Sequence, residues 1–435
     1  MKITVVGTGY QGLVTGTCLA ENGHQIICVD RDADRVAALA AGRLPIHEPG
    51  LEELLARNLE EERISFTTDL RGAVGESLMV FLCVGTPVGE DGEADISGVL
   101  DATRQVGAAM TGYKILVNKS TCPPGTAGRM EEILRECSEH PADVVVNPDF
   151  MKEGSAIDDF MRPDRVIVGC GDVRVREIMR ELYSPFLRTG KPILMMARRS
   201  AEMAKYATNA MLASRISLMN QLADICEAWC CDIADVREAV GSDSRIGPTF
   251  LFPGIGFGGG GLPRDLATCI KLARDKEVPC DLLQSVKEVN DRRRRQLAAR
   301  VISHYGGDLT GKLIAVWGAS FKPRTDDLRG APSLEIIDSL LQAGAAIRVY
   351  DPVAGPKISA RYGDRVEVAQ KYYGALEGAD GLVIITEWNE FRRPDYARMA
   401  SLMRRPVIFD GRNLYTPSVM RQHGFDYFSI GRPAS

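Results

Sequence analysis

Nowhere in the chain do about 18 apolar residues follow one another, the length a membrane-spanning helix needs. No membrane partner is expected. No secretory leader is expected either: Met1 and Lys2 run straight into the apolar stretch Ile3–Val6, and Gly7 follows too early for a leader's apolar segment. Histidine is scarce, five residues lying far apart, so no metal-ligand spacing arises and no metal is expected. There is no C-x-x-C among the eleven cysteines, and several, such as Cys28, Cys83 and Cys170, sit among apolar residues. That pattern reads as reduced, buried thiols of a cytoplasmic protein rather than a disulfide framework. The vicinal pair Cys230-Cys231 is expected on a helix, in packing. An excess of positive charge is also lacking, since the formal net charge is −5. The one dense basic cluster, Arg292–Arg295, lies beside Glu288 and Asp291 and reads as a solvated helix face, so nucleic acid is not an expected partner. Repeats and low-complexity tracts are missing as well.

What remains is a globular composition, 45% apolar and 26% charged over 435 residues, enough for two or three domains. Short apolar or β-branched runs at Ile3–Val6, Gln25–Val29, Leu78–Val84, Ile115–Lys119, Val144–Asn147 and Arg165–Cys170 alternate with helical patterns, which argues for a parallel, doubly wound sheet. From Ser200 to Trp229 apolar residues recur at helical spacing without Gly or Pro, predicting one helix of roughly 40–45 Å. Further helices, broken by a Gly-rich loop, reach Tyr305. The α/β pattern then restarts, with strands expected at Leu313–Trp317, Ala345–Tyr350, Gly381–Thr386 and Pro406–Asp410. The expected fold is α/β: two Rossmann-like doubly wound domains, 1–199 and 310–435, joined by a long central helix and a helical middle domain, 200–309, that offers a surface for a homodimer or higher homo-oligomer.

Gly7-Thr8-Gly9-Tyr10-Gln11-Gly12 directly follows the first strand and opens a helix. In this G-x-G-x-x-G pattern Gly7 permits the tight turn, Gly9 lets backbone approach a pyrophosphate, and Gly12 allows close helix–strand packing. The helix N-terminus offers unpaired N–H groups to phosphate. The second strand ends in Asp30, whose carboxylate suits adenosine ribose hydroxyls and repels a 2′-phosphate, favouring NAD over NADP; Arg31 beside it keeps NADP open.

Further segments follow in series. Phe81-Leu82-Cys83-Val84-Gly85-Thr86-Pro87, Asn118-Lys119-Ser120-Thr121-Cys122-Pro123-Pro124-Gly125-Thr126, Asn147-Pro148-Asp149-Phe150-Met151-Lys152-Glu153-Gly154 and Ala201-Glu202-Met203-Ala204-Lys205-Tyr206-Ala207-Thr208-Asn209-Ala210 come first. Arg245-Ile246-Gly247, the loop Gly256–Asp265 (G-F-G-G-G-G-L-P-R-D), Phe321–Arg329 and Asp410-Gly411-Arg412-Asn413 complete the series. Order and content resemble the UDP-glucose/GDP-mannose dehydrogenase family from end to end, nearest its UDP-glucose branch. The resemblance implies an NAD-dependent oxidoreductase acting on C6 of a nucleotide sugar. It extends the cofactor contacts to Tyr10, Arg31, Thr86, Pro87, Thr121 and Arg329. Substrate contacts would come from Phe150, Lys152, Glu153, Lys205, Asn209, Arg245 (from this chain or a partner subunit), Phe250, Phe257, Gly258, Gly259, Phe321, Lys322 and Arg412.

Turning a C6 alcohol into an acid takes two hydride transfers. The resemblance assigns the first to Lys205 and Asn209, four apart and so on one helical face, with Asp265 orienting them and Thr121 and Glu153 nearby. Lys205 works as a base only if burial holds its pKa down. The second needs a covalent nucleophile, because an aldehyde has no hydroxyl; the family uses a Cys thiolate to form a thiohemiacetal and then a thioester. Gly261 occupies that Cys position here. The Glu credited with thioester hydrolysis is replaced by the shorter Asp149. Gly260, Leu262 and Arg264 also depart from the family's Ser, Phe and Lys, so natural divergence fits better than a single engineered exchange. Cys122 and Cys269 are the thiols nearest in sequence to the site segments, and both read as packing. The expected activity is NAD-dependent oxidation of UDP-glucose that stops at the 6-aldehyde, or passes through it to a C5 epimer. The alternatives are a full UDP-glucose 6-dehydrogenase using hydrated aldehyde or another thiol, an inactive Cys-to-Gly form of one, and a non-catalytic nucleotide-sugar-binding partner.

Overall fold

The computed structural model describes residues 1–187 and 190–433. They form two compact units, Met1–Thr208 and Asn209–Ser435, each considered by itself.

The first unit is built on an eight-stranded sheet: β1 (Lys2–Val6), β2 (Gln25–Val29), β3 (Ile64–Thr67), β4 (Met79–Leu82), β5 (Lys114–Asn118), β6 (Ala142–Val146), β7 (Val166–Gly169) and β8 (Ile193–Met196). Its order is β3-β2-β1-β4-β5-β6-β7-β8. The first six strands run parallel in the dinucleotide-binding order. The expectation of a wholly parallel sheet fails at β7, which meets β6 antiparallel at Val146↔Gly169 and pairs parallel with β8. Alternate residues of one strand feed two cores: Met79, Phe81, Ile115 and Val117 enter one, Val80, Leu82 and Leu116 the other. Both faces are therefore covered, the state in which parallel strands are stable.

The second unit repeats the order with six strands: β9 (Leu313–Trp317), β10 (Ala346–Tyr350), β11 (Val366–Val368), β12 (Gly381–Ile384), β13 (Val407–Asp410) and β14 (Asp426–Phe428), arranged β11-β10-β9-β12-β13-β14 and all parallel. Ile314, Val316 and Val383 pack on one face, Ala315, Trp317 and Leu382 on the other. Both sheets are Rossmann-like, as expected.

The long helix runs Arg198–Ala228 and belongs to both units in turn. Its lack of Gly and Pro, and its many Ala, Met and Leu, account for 31 uninterrupted residues. Cys230 and Cys231, expected on a helix, instead lie beyond the end of this one, exposed, with Cys230 at φ 56°. The Arg292–Arg295 cluster is a solvated helix face only in part. It lies on the helix Asp281–His304, where Arg292 and Arg295 face water, Arg293 is buried and Arg294 is paired with Glu335 at 2.6 Å.

Candidate active site

β1 leads directly into Gly7, whose φ is 95° and where a side chain would strike the Cys83 carbonyl oxygen at 2.6 Å. At Gly12 a Cβ would lie 1.8 Å from the Gly7 carbonyl oxygen, so helix Tyr10–Glu21 packs onto the turn only with glycine there. Gly9 differs: a Cβ would meet nothing within 4 Å. The open side of the turn is therefore at Gly9, next to the helix N-terminus, which suits a pyrophosphate. Asp30 follows β2. Its Oδ2 accepts from Thr8 N at 2.8 Å and Thr8 Oγ1 at 2.7 Å, and its Oδ1 from Asp32 N at 3.1 Å. Burial alone would raise its pKa, but the Thr8 and Asp32 hydrogen bonds and the Arg35 guanidinium at 3.5 Å outweigh it and hold the carboxyl below its ordinary range. An ionised carboxylate thus stands where a ribose would lie, with lone pairs to spare. Arg31 is exposed, while Arg35, one helical turn on, is the cation that touches Asp30.

The segment after β5 is fastened from several sides. Thr86 Oγ1 donates to the Thr121 carbonyl at 2.9 Å, Ser120 Oγ accepts from Val84 N at 2.9 Å, and Gln11 Nε2 donates to the Lys119 carbonyl at 2.7 Å. Buried Glu202, on the long helix, accepts from Gly125 N at 2.6 Å and Ala127 N at 2.8 Å, capping the helix Thr126–Cys137. Lys205 lies one turn later, buried, with its Nζ 5.3 Å from the Phe150 ring centroid; Arg165 covers the same ring at 3.8 Å. Asp149 Oδ1 accepts from Met151 N at 2.9 Å. Tyr10, expected on the cofactor, donates its hydroxyl to buried Glu48, whose carboxylate also takes Gly154 N at 2.6 Å and Ala156 N at 2.8 Å. Burial, then Glu48, pushes the Tyr10 phenol far up, so Tyr10 stays protonated and ties the glycine turn to the segment carrying Glu153.

In the second unit Asp265 is fully buried in the first turn of helix Leu262–Arg274. Its Oδ2 accepts from Asn209 Nδ2 at 2.5 Å and its Oδ1 from Arg264 Nε at 2.7 Å. Gly261 is the N-cap of this helix, with φ −99°, a conformation open to any residue, and a Cβ there would meet nothing within 4 Å. Nothing has moved in to fill the position. A thiol placed there would sit at a helix N-terminus, where thiolate is favoured. The neighbouring glycines are crowded: a Cβ at Gly258 would strike the Gly330 carbonyl oxygen, one at Gly259 the Phe321 ring at 2.7 Å, and one at Gly260 the Arg329 guanidinium carbon at 2.9 Å. Phe321 is also approached by Lys322, 5.5 Å from its ring, and by Arg412, whose Nη2 is 3.5 Å from its carbonyl. Loop, Phe321, Lys322, Arg329 and Arg412 thus form one backbone-rich cluster, in which Arg329 is paired with Asp327 at 2.7 Å and Arg412 with Glu387 at 3.1 Å.

Not every expected residue joins these clusters. Lys152 is exposed and paired with Asp159 at 2.5 Å; Arg245 is exposed and paired with Asp243 at 2.6 Å. Phe250 holds a positive φ of 59° on the approach to the loop, and Phe257 is buried. Neither thiol considered as a substitute nucleophile qualifies. Cys122 is buried in the apolar core under β5, and Cys269 is pushed up to about 12 by burial, then by Asp265 and Cys280.

Several positioning residues escaped the sequence reading. Asn290, buried on helix Asp281–His304, brackets the Phe257 peptide: its Oδ1 accepts from Phe257 N at 2.8 Å and its Nδ2 donates to Phe257 O at 3.1 Å. Asn220 Oδ1 takes Gly254 N, and Arg293 Nε donates to Gly254 O, both at 2.8 Å. Asn290→Ala is expected to cost roughly 1–3 kcal/mol, the penalty for stranding buried backbone groups. Urea denaturation reads that loss, and a raised KM for the nucleotide sugar with little change in kcat reads the loosened loop.

The NAD-binding domain of the UDP-glucose/GDP-mannose dehydrogenase family matches residues 1–187, its central domain 199–292 and its UDP-binding domain 315–417. A UDP-glucose 6-dehydrogenase of Pseudomonas aeruginosa is 46% identical, covering 100% of this chain and 98% of its own. A UDP-glucose dehydrogenase structure from Pyrobaculum islandicum superposes with a TM-score of 0.91 at 34% identity, covering 100% of this chain and 98% of the other. For a UDP-D-ManNAc dehydrogenase from Pyrococcus horikoshii the values are 0.86 and 26%, covering 99% of each. With the family's three domains matched in order along the chain and a relative 46% identical over its whole length, the chain belongs to the UDP-glucose/GDP-mannose dehydrogenase family.

Proposed function

We propose that this protein oxidises the C6 hydroxyl of UDP-glucose with NAD and releases the 6-aldehyde, because the nucleophile for the second oxidation is gone. One observation carries the reading: the Cβ position at Gly261 is empty while Asn209 and Asp265 remain joined at 2.5 Å. NAD, when bound, supplies the hydride acceptor. Gly7, Gly9 and Gly12 seat its pyrophosphate, Asp30 holds the adenosine ribose, and Thr86, Pro87 and Thr121 line its nicotinamide side. Lys205, in its uncharged form, takes the C6 hydroxyl proton; Asn209 and Asp265 orient that hydroxyl or a water beside it. Backbone N–H groups of 258–261 with Lys322 and Arg412 hold the diphosphate. The P. aeruginosa relative's name supports UDP-glucose as the sugar. An absorbance assay with NAD tests this choice. UDP-glucose is expected to give NADH at least about tenfold faster than UDP-N-acetyl sugars or GDP-mannose. Faster turnover of either competitor would overturn it.

The same reading divides the chain into a cofactor part, 1–199, a helical part, 200–309, and a nucleotide-sugar part, 310–435, close to the three matched domains. It also makes the helical part a homodimer surface. Met211, Leu218 and Ile225, seven apart on the long helix, are exposed, and Met203 and Trp229 extend the stripe, Trp229 at 80% exposure. Leu218→Glu is expected to shift the sedimentation coefficient from dimer to monomer; an unchanged dimer would contradict this surface. No helix among the described residues is long and apolar enough to cross a membrane, and no group of three or more His, Cys, Asp or Glu there could hold a metal ion. With buried thiols such as Cys18, Cys28 and Cys83, a cytoplasmic setting fits.

A further inference from the structure

The long helix ends in a way that joins the backbones of two cysteines. Cys231 N donates to Cys226 O at 2.8 Å and Cys230 N to Glu227 O at 3.3 Å. With Cys230 left-handed at φ 56°, this is a Schellman ending, a motif frequently accompanied by a side-chain contact between the third-last helical residue and the second residue beyond the cap. Those residues are Cys226 and Cys231; the Cys231 sulfur lies 3.7 Å from the Trp229 carbonyl oxygen. Given the hydrogen bond from Cys231 N to Cys226 O, standard bond lengths and the bent Cα–C=O angle allow their Cα atoms to be no more than about 6.7 Å apart. A disulfide needs a separation of about 4.4–6.8 Å. The adjacent pair Cys230-Cys231 does not meet that requirement, because consecutive Cα atoms stand about 3.8 Å apart.

The two thiols differ in setting. Cys226 is 7% exposed, packed with Ile233, Leu251 and Ile430; Cys231 is exposed. Burial raises the Cys226 pKa, and Cys231 and Asp232 raise it further, so the solvent-facing Cys231 is the partner an oxidant meets first.

We propose that Cys226 and Cys231 are an oxidisable dithiol that a hydroperoxide converts to a disulfide across the end of the long helix. The Cys231 sulfur attacks the peroxide O–O bond, forming a sulfenic acid and releasing an alcohol, or water from hydrogen peroxide. The Cys226 sulfur then displaces the sulfenic hydroxyl, which leaves as water, and the S–S bond closes. Two electrons pass from the two thiols to the peroxide, and a dithiol reductant reverses the change. Since Cys226 packs against Leu251, at the start of the segment leading to Gly261, the modification sits at the foot of the candidate substrate loop.

The test uses the full reduced chain, treated with stoichiometric hydrogen peroxide and then alkylated. Peptide mass spectrometry should find Cys226 and Cys231 joined with the loss of two hydrogens, and Cys230 alone of the three carrying the alkyl label. Dithiothreitol should restore all three to labelling. Cys226→Ser should leave Cys231 trappable by dimedone as a sulfenic acid, while Cys230→Ser should close the bond as the parent does. A Cys230–Cys231 bond, loss of bond formation in Cys230→Ser, or oxidation of other thiols while Cys226 and Cys231 stay reduced would each overturn the proposal.

Discussion

Gly261→Cys is expected to turn the protein into an enzyme that completes the second oxidation once per site and then stalls. The position accepts a side chain without displacing anything, and its backbone is already in a conformation cysteine adopts. At the N-cap of helix Leu262–Arg274 the new thiol is poised to ionise. Addition to the 6-aldehyde gives a thiohemiacetal, which can lose a hydride and become a thioester. Release then needs a base on water. Asp149 is one methylene shorter than the family's Glu, and its Oδ1 already accepts from Met151 N. General base catalysis is worth about 10²–10⁴-fold, so hydrolysis should slow by a factor of that order. Rapid-mixing absorbance should record a burst of one additional NADH per site, and intact-protein mass spectrometry a covalent sugar adduct on the introduced thiol. Adding Asp149→Glu should release the adduct as acid. An unchanged product with no adduct would mean that the site has diverged beyond this position. Full turnover from Gly261→Cys alone would mean that Asp149 is no obstacle.

Asp265→Asn should have the largest effect on the first oxidation, lowering kcat by about 10²–10⁴-fold. The change keeps the side chain's shape but removes the charge that Arg264 and Asn209 share. Loss of that charge leaves the Arg264 guanidinium uncompensated and Asn209 free to rotate. Since the nucleotide contacts proposed for Lys322 and Arg412 are untouched, calorimetric affinity for UDP-glucose should stay within about tenfold, or roughly 1.4 kcal/mol. A kcat equal to the parent's would remove Asp265 from the reaction. Equal losses in affinity and thermal stability would make it a packing residue only.

The fold was legible wherever burial is two-sided. β4, β5, β9 and β12 read as continuous apolar runs because both faces of each sheet are covered. The four strands that escaped the sequence, β3, β8, β11 and β14, are the four sheet edges. Each includes exposed and half-buried positions over only three or four residues, so no run or clean alternation forms. The antiparallel turn at β7 escaped because strand direction is set by the connecting segment, not by strand composition. At the site, glycine positions were readable because geometry forces them: Gly7 and Gly12 have no room for a Cβ. Asn290 and Glu48 left no comparable signal, and Glu202 stood in a quoted segment without a role of its own. Each is a polar residue that binds backbone groups far away in sequence, 33, 108 and 77 positions at the widest, and nothing local marks that role. Arg293 was hidden in the same way inside a run that reads as surface charge.

The most direct test is stoichiometric. The unmodified protein is incubated with UDP-glucose and excess NAD, NADH is counted per sugar consumed, and the product is captured with a hydrazine. One NADH or fewer per sugar, with a UDP-linked 6-aldehyde recovered as the hydrazone, is the predicted result. Two NADH per sugar, with UDP-glucuronate as the product, would contradict the claim that Gly261 ends the reaction at its first step.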